Sequence, residues 1–246
     1  MASDPRPVGS PPLFAFDLPG AAVRFSTRAG GVSDGPYDSL NLGIQTGDAV
    51  ERVVENRRRL SEAVTLSPEA VVIGHQVHGA ELARCDRPPA SAFTDPAARR
   101  AEVDGHVTGL RGLGLLVQAA DCLPVALATP DRVAIVHCGW RGVAAGIVAR
   151  AVAALEAPPV AVVGPGIGAC CFEVGAEVLA EFADVEDAAN GRMLDLRRVV
   201  EARLRAGGVS RVEHVDLCTS CRADLFYSHR RDDGVTGRQC GIVWRT

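Results

Sequence analysis

Apolar residues follow two kinds of pattern along the chain, and together they predict both strands and helices. Short apolar runs bounded by turn residues predict strands at 22–26, 71–73, 113–118, 123–128, 133–137, 160–163 and 241–244. Apolar spacings of three or four residues predict helices at 48–64, 142–155, 175–182 and 194–206. Because strands and helices do not alternate strictly, the pattern favours an α+β fold over a doubly wound parallel sheet.

The same pattern indicates one domain preceded by a short tail. Residues 1–20 contain proline and apolar residues without a period, so they are predicted to be an N-terminal tail and lead-in. No internal repeat or linker divides the rest, so residues 21–246 are predicted to form a single domain. Residues 87–100 are rich in proline, alanine and charge, which is typical of a mobile surface insertion. Asp48 is predicted to cap the first helix.

Charge and hydropathy exclude several classes of protein. The net charge of −4 gives no reason to expect a nucleic acid or an anionic membrane as a partner. No apolar run reaches the roughly 20 residues that a membrane helix needs. The N-terminus has neither a basic start nor a long apolar stretch, so we expect no secretory signal and a cytoplasmic location. No feature of the sequence predicts an oligomeric state.

The basic residues are unusual because the chain contains no lysine. All 26 of them are arginines. A phosphate-loop lysine and a lysine Schiff base are therefore excluded. Any bound anion must be held by arginine, by backbone N–H groups or by a metal ion.

The eight cysteines are expected to be thiols in a chain without a secretory signal. Most are predicted to be small buried core residues, with one or two as metal ligands. Cys218 and Cys221 have the spacing of a redox or zinc pair. No second pair completes a four-cysteine site unless Cys240 and a histidine join them, so the favoured interpretation is a core or loop role.

The predicted hairpin at 123–137 brings a cysteine and a histidine together. If Ala128 pairs with Val133, then Cys122 and His137 share one face as diagonal neighbours, and Cys138 points to the other. A register slip of one residue would reverse this assignment. A thiolate with imidazoles selects zinc or copper as the bound metal. If one further histidine joins Cys122 and His137, three protein ligands leave a fourth position open, as in catalytic zinc sites.

Several motifs, in order along the chain, resemble those of the YfiH-like family. That family was once described as polyphenol oxidases with laccase activity and is now regarded as purine nucleoside phosphorylases with adenosine deaminase side activity. The motifs run from Phe25 to Trp244 and include Ser-Thr-Arg at 26–28, Tyr-Asp-Ser-Leu-Asn-Leu-Gly at 37–43, Gln-Val-His-Gly at 76–79, Val-Asp-Gly at 103–105, Ala-Asp-Cys-Leu-Pro-Val at 120–125, His-Cys-Gly-Trp-Arg-Gly at 137–142, Cys-Phe-Glu-Val-Gly at 171–175 and Tyr-Ser-His-Arg-Arg-Asp at 227–232.

The resemblance implies that His78, Cys122 and His137 bind zinc. It also implies a single α+β domain with mixed sheets flanked by helices. The chain departs from the family pattern in having Cys138 where alanine is usual, His229 where tyrosine is common, and an additional histidine at position 75. Cys138 or the additional histidine could offer a fourth ligand, and a closed four-ligand site would be structural rather than catalytic.

The phosphorylase activity that the resemblance implies requires an anion beside the sugar, because phosphate attacks C1′ of the ribose. Arg28, Arg141 and Arg230, from three matching motifs, are the candidates to hold it. Arg141 is the predicted catalytic arginine, and a helix predicted to begin at Gly142 would add a favourable dipole. Asn41 and Gln76 are candidate hydrogen-bonding groups for ribose or base, with loop stabilisation as the alternative.

The implied deaminase activity requires a hydroxide and a carboxyl group that carries a proton. A zinc-bound water would supply the hydroxide. Asp121 is the candidate carboxyl group, and it has the equally weighted alternative of orienting His137.

Three other functions use the same residues. A copper-dependent polyphenol oxidase would need an axial ligand and further copper centres, for which two methionines and six histidines are few. A cysteine hydrolase would use Cys122 as nucleophile and His137 as base, with Asp121 or Asp104 orienting the base. A peptidoglycan-precursor editing hydrolase would use the arginines and the zinc site.

Overall fold

The structure is a computed structural model that describes residues 6–246. Its strands are β1 Leu13–Leu18, β2 Ala21–Ser26, β3 Val71–Ile73, β4 Leu82–Arg84, β5 Gly105–Thr108, β6 Gly114–Ala119, β7 Leu123–Ala128, β8 Val133–Cys138, β9 Val160–Val163, β10 Ala189–Asn190, β11 Met193–Leu194, β12 Arg211–His214 and β13 Gln239–Arg245. Its α-helices are α1 Val50–Ala63, α2 Trp140–Ala144, α3 Ile147–Ala154, α4 Ala176–Ala180 and α5 Leu196–Ala206. Gly35–Tyr37 and Pro68–Ala70 are short 3-10 helices.

Two large mixed sheets organise these elements. One has five strands in the order β1-β2-β13-β6-β3, and the other has six in the order β12-β9-β7-β8-β5-β4. Most neighbours are antiparallel, but β3 with β6, β4 with β5, and β9 with β12 are parallel. Strands β10 and β11 form a separate small ribbon. The predicted α+β class with mixed sheets flanked by helices is confirmed.

The core lies in layers on both sides of the two sheets. Phe25 and Val117 of the first sheet share an apolar cluster with Ile135 of the second, so the inner faces pack together. Helices α3, α4 and α5 cover the outer face of the six-stranded sheet. Helix α1 covers the outer face of the five-stranded sheet, where Leu60 packs near Leu116. The near-continuous apolar runs of β7 and β8 are buried at every position, as expected for strands of a sheet that is covered on both faces.

The β7–β8 hairpin has the register that the sequence predicted. Ala128 pairs with Val133, and Leu123 pairs with Cys138. Cys138 is fully buried in the cluster beneath the helices, which confirms its predicted core role. Cys122 therefore immediately precedes β7 at the end of the hairpin where His137 lies.

Three local predictions are wrong. Strand β1 lies within the predicted tail and pairs with β2 along its whole length, while residues 1–5 of that tail lie outside the described residues. The helix predicted at 142–155 begins earlier and is divided in two at Gly146, whose φ of 87° breaks the helical path. Asp48 is not a helix cap, because its carboxylate accepts hydrogen bonds from Ser33 and Asn41.

The segment at 87–100 is anchored by packing and hydrogen bonds, contrary to the predicted mobile insertion. Phe93 is buried beneath the guanidinium of Arg57, which lies 4.5 Å from the ring centroid and donates to the Phe93 carbonyl. The Phe93 N–H donates to the Pro68 carbonyl at 2.8 Å. Across residues 6–246, no helix has the length and apolar character needed to cross a membrane.

Candidate functional site

Three elements bring His78, Cys122 and His137 together. His78 lies in the loop after β3, Cys122 just before β7, and His137 near the end of β8. Their ligand atoms all lie within 4.8 Å of one another. The imidazole rings meet edge to face, with their centroids 4.9 Å apart. A Cβ added at Gly139 would come 2.9 Å from His78 and 3.1 Å from the Cys122 sulfur, so only glycine leaves room for this arrangement.

A buried carboxylate, Asp104, holds the two histidines. It accepts a hydrogen bond from His137 Nδ1 at 2.8 Å, which leaves Nε2 free to face the other two side chains. It also accepts from the N–H groups of Val77, His78 and Gly79 at 2.7 to 3.0 Å. These bonds stabilise His78 at a φ of 60°, a left-handed conformation that non-glycine residues seldom adopt.

The cluster is electrostatically coupled. Burial by itself would raise the pKa of the Cys122 thiol, but His137 and His78 outweigh it and lower that pKa to about 6. Burial by itself would lower the pKa of His137, but Cys122 and Asp104 raise it to about 9. Burial by itself would raise the pKa of Asp104, but the hydrogen bonds from His137 and from the Gly79 N–H outweigh burial and lower that pKa. The sulfur therefore has the thiolate character of a soft metal ligand.

The cluster opens into a cavity of about 830 Å³, a volume in the range of small-molecule sites. The cavity lining carries one carboxylate, Asp121, and six arginines: Arg57, Arg99, Arg100, Arg141, Arg230 and Arg238. Ring surface comes from Trp140, Phe172, His75 and His229. The excess of positive charge suits an anionic ligand, and the rings suit a flat aromatic one.

The structure separates the three predicted anion-binding arginines. Arg141 and Arg230 line the cavity, with guanidinium groups over Trp140 at 4.4 Å and Phe172 at 5.5 Å. Arg28 does not line it, because its guanidinium donates to the carbonyls of Asp38 and Ala223 and lies over Tyr227. Its predicted role in substrate binding therefore does not fit its position.

Four of the arginines that line the cavity were absent from the predicted site, and two of these, Arg57 and Arg238, are held in place by burial and hydrogen bonds. Burial lowers the pKa of Arg57 to about 9, and burial also lowers the pKa of Arg238. Both side chains donate to backbone carbonyls. They add positive charge to the wall from fixed positions.

Asn41 supports the site from outside the cavity lining, whereas Gln76 is part of that lining. Asn41 is fully buried, donates to Thr46 and Asp48, and accepts from the N–H groups of Gly43 and Arg238. The Gln76 amide bonds to both backbone groups of Gln118 at 2.7 Å. The Asn41 amide is thus committed to loop stabilisation, whereas Gln76 lies in the cavity wall with its amide held by Gln118.

Asp121 is committed to two neighbouring loops. One carboxylate oxygen accepts from the Thr219 hydroxyl at 2.7 Å, and the other accepts from the Arg230 N–H at 2.7 Å. Its φ of 92° is a strained backbone value next to Cys122. The partner that orients His137 is Asp104, not Asp121. In the sequence, Asp104 was marked by the Val-Asp-Gly motif and as one of two residues that could orient His137 in a cysteine hydrolase.

Neither proposed fourth ligand belongs to the cluster. The convergent group consists of His78, Cys122 and His137, and it includes neither Cys138 nor His75.

The prediction that most of the eight cysteines are buried core residues is wrong. Among the described residues only Cys138 and Cys240 are buried, and Cys218 and Cys221 do meet a second pair, Cys170 and Cys171.

Comparisons with known proteins agree with the observed fold. The family described as "Multi-copper polyphenol oxidoreductase laccase" matches residues 22–246. The purine nucleoside phosphorylase YlmD of Geobacillus stearothermophilus is 36% identical, covering 96% of this chain and 93% of its own length. The purine nucleoside phosphorylase YfiH of Escherichia coli is 37% identical, with 92% and 94% coverage.

Solved structures match over almost the whole chain. The crystal structure of Geobacillus stearothermophilus YlmD has a TM-score of 0.86 at 35% identity and covers 92% of each chain. That of a Bacillus licheniformis hypothetical protein YfiH has a TM-score of 0.89 at 28% identity, covering 100% of this chain and 98% of its own.

Proposed function

The chain belongs to the multi-copper polyphenol oxidoreductase laccase family, and we propose that it is a zinc-dependent purine nucleoside phosphorylase. It would convert adenosine, inosine, guanosine or methylthioadenosine, with phosphate, into free base and a sugar 1-phosphate. The observation that carries the proposal is the His78, Cys122 and His137 cluster, which opens into an arginine-lined cavity.

The donor set fits one zinc ion. Two imidazoles and a thiolate are borderline and soft ligands, and their atoms converge within 4.8 Å. Asp104 directs His137 Nε2 towards the cluster, which is the usual arrangement of a carboxylate behind a zinc-bound histidine. When bound, zinc would supply Lewis acidity at the cavity wall.

The residues around the cluster suit phosphorolysis. A phosphate oxygen attacks C1′, the glycosidic bond breaks, and its electron pair passes to the purine, which is then protonated. Arg141 is exposed on the cavity wall and has no ion-pair partner among residues 6–246, so its charge is available for phosphate. Arg230 lies on the same wall, and Phe172 and Trp140 offer faces against which a purine can stack.

Deamination is supported less well than phosphorolysis. It needs a carboxyl group free to carry a proton to the purine. Asp121 is the one carboxylate in the lining, and both of its oxygens already accept hydrogen bonds. We therefore assign Asp121 to positioning Arg230 and keep adenosine deaminase as a secondary activity.

The copper alternative has little support in the cavity. A blue-copper site adds a weak axial ligand, usually methionine, to two histidines and a cysteine. Met193 lies in β11 and is absent from the cavity lining. The family description names copper, but the residues around this cluster favour zinc.

A hydrolase is the second candidate, because Cys122, His137 and Asp104 also form a nucleophile–base–orienter set. The peptidoglycan-precursor editing hydrolase is one form of it. Alkylation separates the two functions. Zinc held by Cys122 would protect the thiolate from iodoacetamide until a chelator is added, whereas a free nucleophile would react at once.

Nucleoside cleavage tests the proposal directly. We expect the purified protein to release adenine or hypoxanthine from adenosine or inosine only when phosphate is present, with ribose 1-phosphate as the second product. Chromatography of the base and ³¹P NMR of the sugar phosphate would follow both. A zinc-loaded protein inert on every purine nucleoside with phosphate would contradict the proposal, and phosphate-independent base release would point to hydrolysis.

Arg141→Gln should weaken phosphate recognition. We expect KM for phosphate to rise about tenfold or more, because a charge-assisted hydrogen bond contributes about 1.5–3 kcal/mol. The matched control is Arg150→Gln, an exposed arginine of α3 that pairs with Glu81 away from the cavity. Initial rates at varied phosphate would measure both. Equal KM values in the two variants would remove Arg141 from the site.

A further inference from the structure

Four cysteines form a second cluster outside the cavity lining. Cys170, Cys171, Cys218 and Cys221 offer sulfur atoms that all lie within 4.8 Å of one another. The Cys221 sulfur is 3.5 Å from that of Cys170 and 3.4 Å from that of Cys171. No residue of the His78, Cys122 and His137 cluster takes part.

Two turns build this cluster from distant parts of the chain. The first follows β9, where the N–H groups of Cys171 and Phe172 both donate to the Gly168 carbonyl. The second follows β12, where the Arg222 N–H donates to the Cys218 carbonyl. The parallel bridge between Gly166 and Cys218 aligns the two turns, so the fold itself brings the thiols together.

One of the four sulfur atoms accepts a hydrogen bond from the backbone. The Gly168 N–H donates to the Cys218 sulfur at 3.2 Å. A Cβ added at Gly168 would meet the Cys218 Cβ at 3.2 Å and the Cys170 sulfur at 3.3 Å. Glycine at this position thus allows the backbone to approach closely. A backbone N–H aimed at sulfur stabilises a thiolate, the form that binds metals.

We propose that these four cysteines bind a second, structural zinc ion. A tetrahedral set of four sulfurs selects zinc or iron, and closed four-cysteine sites are structural. With Zn–S bonds of about 2.3 Å, neighbouring sulfurs on one tetrahedral ion lie about 3.8 Å apart. The observed separations fit a single ion better than a multi-iron cluster, which holds its thiolates farther apart.

The ion would stabilise two turns that position residues of the active-site cavity. Phe172, next to Cys171, lines the cavity, and the Arg230 side chain donates to the Glu173 carbonyl at 2.9 Å. Thr219, between the other two cysteines, donates to Asp121. A tether between the two turns therefore positions the ring and the arginine that face the substrate.

Zinc counting on the full-length protein tests the site. We expect about two zinc ions per chain in the wild type, about one in Cys218→Ser/Cys221→Ser, and about one in His78→Ala. Cys85→Ser, a cysteine outside both clusters, should keep both. The double variant should also melt roughly 5 °C or more below the wild type, a shift that excess zinc does not restore.

Spectroscopy keeps the proposal testable if the double variant fails to fold. His78→Ala changes an exposed side chain, and its remaining metal should give zinc X-ray absorption with sulfur ligands only. Cobalt substitution of that variant should give the intense charge-transfer bands of a tetrathiolate. A wild type with one zinc that His78→Ala removes would overturn the proposal. Disulfides among the four cysteines, found by mass spectrometry of the freshly purified protein, would overturn it as well.

Discussion

Cys122→Ala is expected to lose the zinc of the catalytic cluster and to lower kcat/KM for nucleoside phosphorolysis by more than about 100-fold. Removing a residue that merely orients a metal ligand already costs about 10- to 100-fold in metal affinity or activity. Loss of the thiolate removes a ligand outright and leaves His78 and His137 facing a gap. Zinc content and initial rates on the same preparation would measure both effects.

The neighbouring cysteine provides the matched control. Cys138 lies on the opposite face of β8, fully buried and outside the ligand cluster. Cys138→Ala should keep its zinc and its kcat/KM while losing about 1 kcal/mol of unfolding free energy to the smaller side chain. Zinc loss in Cys138→Ala, with zinc retained in Cys122→Ala, would reverse the assignment of the two faces.

Asp104→Asn is expected to damage both stability and metal binding. The carboxylate is fully buried and accepts four hydrogen bonds, three from successive backbone N–H groups and one from His137. An asparagine side chain would place its own N–H donors against groups that are themselves hydrogen-bond donors. Unfolding free energy should fall by about 3 kcal/mol, and zinc affinity by about 10- to 100-fold.

Denaturant unfolding and a chelator competition would separate the two effects. Asp131→Asn is the matched control, because Asp131 is a highly exposed carboxylate in the β7–β8 turn. Its unfolding free energy should change by less than about 0.5 kcal/mol. If Asp104→Asn keeps wild-type stability and zinc affinity, the carboxylate does not hold the site together.

The parts of the fold that depend on neighbouring residues could be predicted from sequence. The β7–β8 register follows from two apolar runs and a short turn, so the placement of Cys122 beside His137 needed no distant information. Strands β4, β5 and β12 were missed because each is three or four residues long and mixes polar with apolar residues, whereas the equally short β3 and β9 are continuous apolar runs.

The rest of the site depends on contacts between distant segments. Asp104 reaches His137 because β5 pairs with β8, a long-range pairing that no local pattern reveals. Arg28 and Arg141 looked alike as motif arginines, but only the tertiary fold directs one to Tyr227 and the other to the cavity. Cys170 and Cys221 meet across 51 positions of the chain, so their spacing suggests no site.

The proposed function requires that the zinc held by His78, Cys122 and His137 drives phosphorolysis. Its most direct test is to strip the wild-type protein with a chelator and then to follow ribose 1-phosphate formation while zinc is returned. We expect phosphorolysis to disappear with the metal and to recover as zinc is restored, whereas His78→Ala should regain no activity at the same zinc concentration. Full phosphorolysis by the metal-free protein would contradict it.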